Sequence, residues 1–374
     1  VTELELTIDS IAAGGDGVGR SEGLVFFAPR TAPGDRVRAR LTIEGRLARA
    51  DVQEIVDPSP LRIEPPCPHY VGDKCGGCQL QHITVAGQRD AKRQIIDDAL
   101  HRIARRDSTA SPVRSAGEPW RYRRKLTLAM RRKGARWIAG LHQYDAPGRI
   151  FALRDCPISD ERVVATWHQI LAAGSFLPEG VPALRGAVRL LADGVAFTLE
   201  GATRWPRAER FFDAVPSLSA LWWVPDRGRR RLLHDRRDHA EPGASFVQIN
   251  PAVSAALRDD LVARALAYAP ATAIDAYAGA GDTAVRLADA GVSVTAIEVD
   301  DEAVAYAKGR LPAGSRALAG TVEGRLADAL PADVVIVNPP RGGLHGRVPE
   351  LLEAALTGAR DRAPRALFYV SCNP

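Results

Sequence analysis

"AIDAYAGAGDTAV", residues 273–285, reads as a buried strand that runs into a glycine turn and leaves it as a helix. Gly279 and Gly281 let the backbone come close to a ligand, and the start of the helix beyond them is a positive dipole end. The next strand ends in "AIEVD" (296–300), which puts Glu298 where a carboxylate can take both hydroxyls of a ribose. A third element, "VVIVNPPRGG" (334–343), is again a strand followed by a loop. Ligands of open α/β sheets sit at the carboxyl ends of the strands, where these three elements fall. No third glycine completes a G-x-G-x-x-G pattern and no G-K-[ST] is present, so no pyrophosphate is called for. An adenosine cofactor without one fits best, and S-adenosylmethionine is the obvious choice.

Outward from that stretch, helix and strand alternate from about residue 245 to the last residue. The strands end with "RALFYVSC", and five of them predict βαβ units and a parallel sheet. Residues 1–57 alternate with period two in "LELTIDSI", "LVFFAP", "RVRARLTIEG" and "LARADVQEIV". Glycine-rich turns such as "AAGGDGVGR" separate them, and a small Greek-key barrel of the oligonucleotide-binding kind is expected. "DPSPLRIEPPCP" reads as a linker. A helix is expected over about 84–106, and residues 118–240 read as mixed α/β.

The chain has 374 residues, 46% hydrophobic and 25% charged, which fits a globular protein of two or three domains. No apolar run approaches the roughly 18 residues that span a membrane, and the start is no signal peptide. A cytoplasmic protein without a membrane partner is expected. Net charge is +5, but its distribution says more. Twelve arginines and lysines fall between 101 and 136, and "DRGRRRLLHDRRDH" (226–239) forms a second cluster. Clustered arginine is the footprint of a phosphate-backbone partner, and a solvated surface is the plainer explanation.

Five cysteines, an odd number, argue against a disulfide framework. "CPHYVGDKCGGCQLQH" holds Cys67, Cys75 and Cys78, and Cys156 follows in "LRDCPI". Gly76 and Gly77 permit a tight turn that lets Cys75 and Cys78 grip one metal centre. Four thiolates can hold a structural zinc or an iron–sulfur cluster. His69 and His82 read as surface or RNA-contacting residues rather than ligands.

These residues resemble the S-adenosylmethionine-dependent RNA uracil-5-methyltransferases, over essentially the whole chain. "CGGCQLQHI" with Cys67 and "RDCPI" resemble that family's four-cysteine signature. "WRYRRKLTL" (120–128) resembles the opening of its central domain. "SFVQIN" (245–250), "DAYAGAG", "NPPRGG" and "FYVSCNP" (368–374) follow in the family's order. The resemblance implies three domains. Residues 1–57 would form a TRAM-like RNA-binding β-barrel and 58–244 an α/β domain with a [4Fe-4S] cluster on Cys67, Cys75, Cys78 and Cys156, zinc being the alternative. Residues 245–374 would form a Rossmann-like class I methyltransferase domain. It implies RNA as partner, through Arg121, Arg123, Arg124 and Lys125. Barrel and cluster together resemble the members that act on 23S ribosomal RNA; the bacterial tRNA branch typically lacks both.

Carried over position by position, Gln248 matches a cofactor-contacting glutamine, Tyr277 an aromatic that packs on the cofactor, and Glu298 the ribose carboxylate. Gly279 and Gly281 form the cofactor turn. Asp282 stands where the family usually has asparagine, and Asn338 where it usually has aspartate. Cys372 matches the nucleophile that adds to C6 of uracil so that C5 can take a methyl group. Its thiolate needs a cationic neighbour, for which Arg341 is the candidate.

The family's general base, a glutamate downstream of "SCNP", has no counterpart before Pro374. Sheets of this class carry seven strands, so a domain truncated after its fifth strand is expected. Its raw hydrophobic edge would invite aggregation and its turnover would be poor. Competing readings are tRNA uridine-5 methylation, an amino-group methyltransferase of the adenine N6 type, and a non-catalytic RNA-binding protein. Arg341 after "NPP" and the presence of Cys372 speak against the second.

Overall fold

The computed structural model describes residues 3–238, 242, 248–357 and 363–371. Period-two alternation at the N-terminus becomes β1 (Glu3–Thr7), β2 (Ser10–Ile11), β3 (Gly17–Ser21), β4 (Leu24–Ala28), β5 (Arg36–Glu44) and β6 (Leu47–Asp57). They pair in the order β1-β5-β6-β4-β3-β2. The two outermost strands, β1 and β2, are consecutive in the chain. The bend between them takes Ile8 N–H to the Asp35 carbonyl and Asp9 N–H to the Val18 carbonyl. The sheet therefore curls until its ends meet. Leu6, Ile8, Phe26, Val37 and Ala48 fill the inside. Outside, Arg36 and Arg40 pair with Glu5 and Glu3.

β3 lies inside the stretch expected to be only a turn. Propensity misleads there because the glycines serve packing: a Cβ on Gly17 would collide with the Thr31 hydroxyl, and one on Gly19 with the Phe26 ring.

After α1 (Pro68–Val71) and α2 (Val85–Arg102), a second sheet is built from β7 (Lys125–Lys133) and β8 (Arg136–Gly140). The helix α3 (Glu161–Ala172) follows, then β9 (Ala183–Leu190), β10 (Val195–Glu200), α4 (Ala208–Ala214), β11 (Leu218–Val224) and β12 (Arg231–Asp235). Its order is β12-β11-β10-β9-β7-β8. Only β10 and β11 run parallel, joined through α4. Asp160 caps α3, which buries Val163, Val164, Trp167 and Ile170 along one stripe. Trp167 meets Phe197 edge-on at 5.7 Å. A Cβ on Gly186 would meet the Trp167 ring, which is why β9 carries a glycine there.

β12 runs through the second arginine cluster, and several of its arginines are tied into the protein. Arg230 pairs with Asp300 at 3.0 Å and Glu302 at 3.2 Å. Arg237 pairs with Asp235 at 2.8 Å and lies over the Trp222 ring. These links join the second sheet to the third.

The third sheet follows α5 (Pro251–Leu266). Its elements are β13 (Thr272–Ala276), α6 (Asp282–Asp289), β14 (Ser293–Glu298), α7 (Asp301–Arg310), β15 (Arg316–Ala319), α8 (Val322–Ala329), β16 (Val334–Val337), α9 (Arg347–Thr357) and β17 (Ala366–Tyr369). The strands are all parallel in the order β15-β14-β13-β16-β17, five as expected. One face packs on α5, α6 and α7, the other on α8 and α9. Strands covered on both faces become continuous apolar runs, and all four residues of β16 are buried. Order reverses between β13 and β16, which opens a crevice at their carboxyl ends. Among the described residues no helix is long and apolar enough to cross a membrane.

At the end of β8 a Cβ on Gly140 would fall on the Phe151 carbonyl. Gly140→Ala should push the 151–153 segment off the sheet edge and cost about 1–3 kcal/mol. All six tryptophans lie between 120 and 223, so their fluorescence reports this region. The urea midpoint read from it should fall. An unchanged midpoint would mean that the close approach is not made in solution.

Candidate active site

At the end of β13 the chain must turn sharply to start α6, and Tyr277, Gly279 and Gly281 all take positive φ, at 62°, 56° and 81°. The Gly281 N–H closes the turn on the Ala278 carbonyl at 3.0 Å. Asp275, fully buried beneath it, accepts from the Ala284 N–H at 3.1 Å and so anchors the first turn of α6. The Glu298 carboxylate accepts from Gly279 N–H at 2.9 Å, and from Val299 and Asp300 N–H at 2.8 Å each.

The cleft above this turn is open to solvent at its mouth. Its wall holds Gln248, Tyr277, Gly279, Asp282 and Asn338 together, drawn from three separate stretches of sequence. Gly281 shapes the turn without lining the cleft. Glu298 stands beside it, with its oxygens on backbone amides. Val370, just past β17, also lines the cleft, its N–H on the Val337 carbonyl at 2.9 Å. Cys372 lies outside the described residues. Arg341 is exposed on the loop after β16.

The helix α5 was expected from the sequence, but its part in the site was not. Ser254, Leu257, Arg258 and Leu261 line the cleft from one face of that helix. Their i, i+3, i+4, i+7 spacing is the signal that could have found them. Asp282 accepts from Arg258 at 3.1 Å and from Arg310 at 2.8 Å. A second cleft shares Gln248, Ser254, Arg258 and Asp282 with the first and adds Arg124, Lys125 and Arg189 from β7, β9 and the residue before β7. Burial, and then Arg189 and Arg185, hold the Lys125 ammonium below its usual range. Arg124 N–H reaches the Ile249 carbonyl at 3.3 Å, which joins the second sheet to the approach to α5.

Arg121 and Arg123 point elsewhere. Arg121 grips both Asp155 carboxylate oxygens, at 2.8 and 2.9 Å. Arg123 donates to the Lys125 carbonyl and lines the cysteine pocket.

Cys67, Cys75, Cys78 and Cys156 line that single, small pocket. Cys67 opens α1, Gly76 and Gly77 form the turn between Cys75 and Cys78, and Cys156 enters from the far segment braced by Arg121. Burial, with the neighbouring sulfurs, pushes the Cys75 thiol up to about 11 and raises Cys67 and Cys78 as well. Among the described residues no three or more His, Cys, Asp or Glu close on one point as ligands of a single ion. That geometry by itself supports neither zinc nor an iron–sulfur cluster. Gln81, also in the pocket wall, has its buried Oε1 without a hydrogen-bond partner.

The two histidines expected at the surface are both buried. His69 Nδ1 pairs with Asp73 at 2.7 Å and its Nε2 accepts from the Arg154 N–H. His82 bridges the Tyr70 hydroxyl and the Thr31 carbonyl, and burial pushes its pKa down to about 4. Both hold the cysteine segment against its neighbours, a tertiary role that no local pattern shows.

A cleft at the switch point of a helix-covered parallel sheet defines an α/β methyltransferase fold. No protein-family model matches the chain. It is 32% identical to an uncharacterized RNA methyltransferase of Gloeobacter violaceus, over 98% of this chain and 87% of the relative. A counterpart from Thermosynechococcus vestitus is 30% identical over 99% and 89%. One from Listeria monocytogenes is 28% identical over 99% and 88%. The chain belongs to this family, the RNA methyltransferases. Among solved structures it resembles the Pyrococcus abyssi tRNA (uracil-54, C5)-methyltransferase in complex with S-adenosyl-L-homocysteine. The TM-score is 0.68 at 20% identity, over 99% of this chain and 90% of that one, which is a likeness of fold.

Burial pushes the Asp275 carboxyl up to about 7. The folded protein therefore holds a proton that the unfolded chain releases near pH 4. Stability from that proton is present at low pH and is lost as pH rises through 7. Asp275→Asn keeps an acceptor for Ala284 and buries no charge. Its melting temperature should exceed the parent's at pH 8, with the gap closing towards pH 4. An equal gap at both pH values would refute the shift.

Proposed function

We propose that this RNA methyltransferase methylates C5 of a uridine in RNA, in the cytoplasm, with S-adenosylmethionine as donor and Cys372 as nucleophile. One observation carries the reading. The cleft that gathers Gln248, Tyr277, Gly279, Asp282 and Asn338 is also lined by Val370, two residues before Cys372. In this reading those residues and Glu298 hold the cofactor, and Gly281 keeps the turn open for it. When bound, S-adenosylmethionine supplies an electrophilic methyl group. Cys372 would add its sulfur to C6 of the uracil, which makes C5 the attacking carbon. Loss of the C5 proton to a base then lets the sulfur leave and restores the ring. The target base must be taken out of its stack to reach the cleft.

Arg124 and Lys125, with Arg189, line the clefts' shared approach, and we assign them to the RNA backbone. Arg121 and Arg123 serve that path indirectly, by bracing the cysteine segment and β7. Residues 1–57 are read as a TRAM-like domain, 58–244 as the central domain and 245–374 as the methyltransferase domain. The cysteine pocket fits a [4Fe-4S] cluster by its donor set: four thiols face one enclosed space, unpaired by disulfides. Cys67, Cys75, Cys78 and Cys156 would hold it as a structural tie between their two segments. Ribosomal RNA, 23S in particular, is the expected substrate class, with tRNA as the competitor.

The test is a covalent trap. Fluorine at C5 blocks the last step, so 23S fragments and tRNA carrying 5-fluorouridine should form a stable adduct in the presence of S-adenosylmethionine. The adduct should carry one added methyl, map to Cys372, and vanish in Cys372→Ala. No adduct from either RNA, with cofactor bound, would favour amino-group methylation or RNA binding alone. Separately, protein purified without oxygen should contain iron and acid-labile sulfide, and Cys156→Ala should lose both. Iron-free protein that is fully folded would remove the cluster from this account.

A further inference from the structure

Among the described residues of the cofactor cleft, only Arg258 and Asp282 carry a formal charge. Asp282 has an arginine on each oxygen: Arg258 on Oδ2 at 3.1 Å and Arg310 on Oδ1 at 2.8 Å. Arg310 stands behind the turn. It donates to the Ala280 carbonyl at 3.1 Å, its guanidinium lies 5.0 Å from the Tyr306 ring, and it is not part of the cleft wall. Arg258 is in the wall, its side chain 26% exposed, steadied by the Ser254 hydroxyl one helical turn away at 3.3 Å. With the Glu298 carboxylate that borders the same turn the group is neutral overall, and Arg258 is the one cation in the described cleft wall.

A partly buried guanidinium with donors left over from its carboxylate partner draws a second anion. The adenine and ribose of the cofactor bring none, but its amino-acid end carries a carboxylate. We propose that Arg258 receives that carboxylate, and that Asp282 is a positioning residue that aims the guanidinium. The assignment rests on S-adenosylmethionine being the cofactor. An aspartate at 282 can hold two arginines, whereas the neutral Asn338 across the cleft does not compete for them. A guanidinium offers two parallel donors to a carboxylate, so lysine would be a partial substitute.

The experiment is calorimetric titration of the full chain with two ligands. S-adenosylhomocysteine carries the amino-acid end, and 5′-methylthioadenosine is the same thioether nucleoside without it. Arg258→Met, which keeps the aliphatic stem, should weaken S-adenosylhomocysteine by about 10- to 100-fold, the range expected for a lost charge-assisted hydrogen bond. Methylthioadenosine should bind within about twofold of the parent, which also shows the variant folded. Arg258→Lys should recover part of the loss. Equal losses for both ligands in Arg258→Lys, or no loss for S-adenosylhomocysteine in Arg258→Met, would overturn the assignment. So would a loss of RNA affinity with S-adenosylhomocysteine unchanged, since the guanidinium would then serve a phosphate in the neighbouring cleft. A parent chain that binds neither ligand would overturn the cofactor reading itself.

Discussion

The Glu298 carboxylate joins the ends of β13 and β14. By accepting the Gly279 amide it holds open a turn in which three residues sit at positive φ, a conformation that L-residues other than glycine adopt at a cost. Tyr277 carries that cost, and it is the residue whose side chain faces the cleft. Release the turn and α6 loses its start, Asp282 loses its place, and the two arginines lose their anchor. Asp275 holds the same turn from below through Ala284. The cleft is thus a consequence of one loop fixed from two sides by carboxylates bonded to backbone amides.

Charge in this protein divides into arginines that build and arginines that face a ligand. Arg121 clamps Asp155, Arg230 and Arg237 stitch β12 to α7, and Arg310 backs the cofactor turn. Each has a carboxylate within ion-pair distance. Arg124, Lys125 and Arg258 line the clefts between the second and third sheets, Arg258 while paired with Asp282. Burial first, and then Arg189 and Arg185, hold the Lys125 ammonium below its usual range there. A cluster of arginines in sequence is therefore a poor guide to a nucleic-acid surface until the carboxylates that reach it are known.

What is legible in the sequence follows from local rules. Period-two alternation marks most strands of the first sheet, and glycine with a terminal carboxylate marks the cofactor turn. It fails where glycine stands in a strand for packing, as at Gly17 and Gly19. It fails also where a short helix such as α4 or α8 has too few residues to show a period. The role of α5 in the site was hidden because Arg258 looks like any exposed helical arginine until Asp282 is brought across from 24 residues away.

By itself the sequence determined the parallel strands of the last sheet and the glycine turn whose residues line the cleft. Hydrophobic period and turn residues are local properties of a chain. Only the tertiary structure decided that Cys156 joins Cys67, Cys75 and Cys78 around one space, that both histidines of that segment are buried, and that Arg258 lies in the cleft wall paired with Asp282. Those facts depend on which distant groups come within hydrogen-bond or ion-pair distance, and that is set by packing.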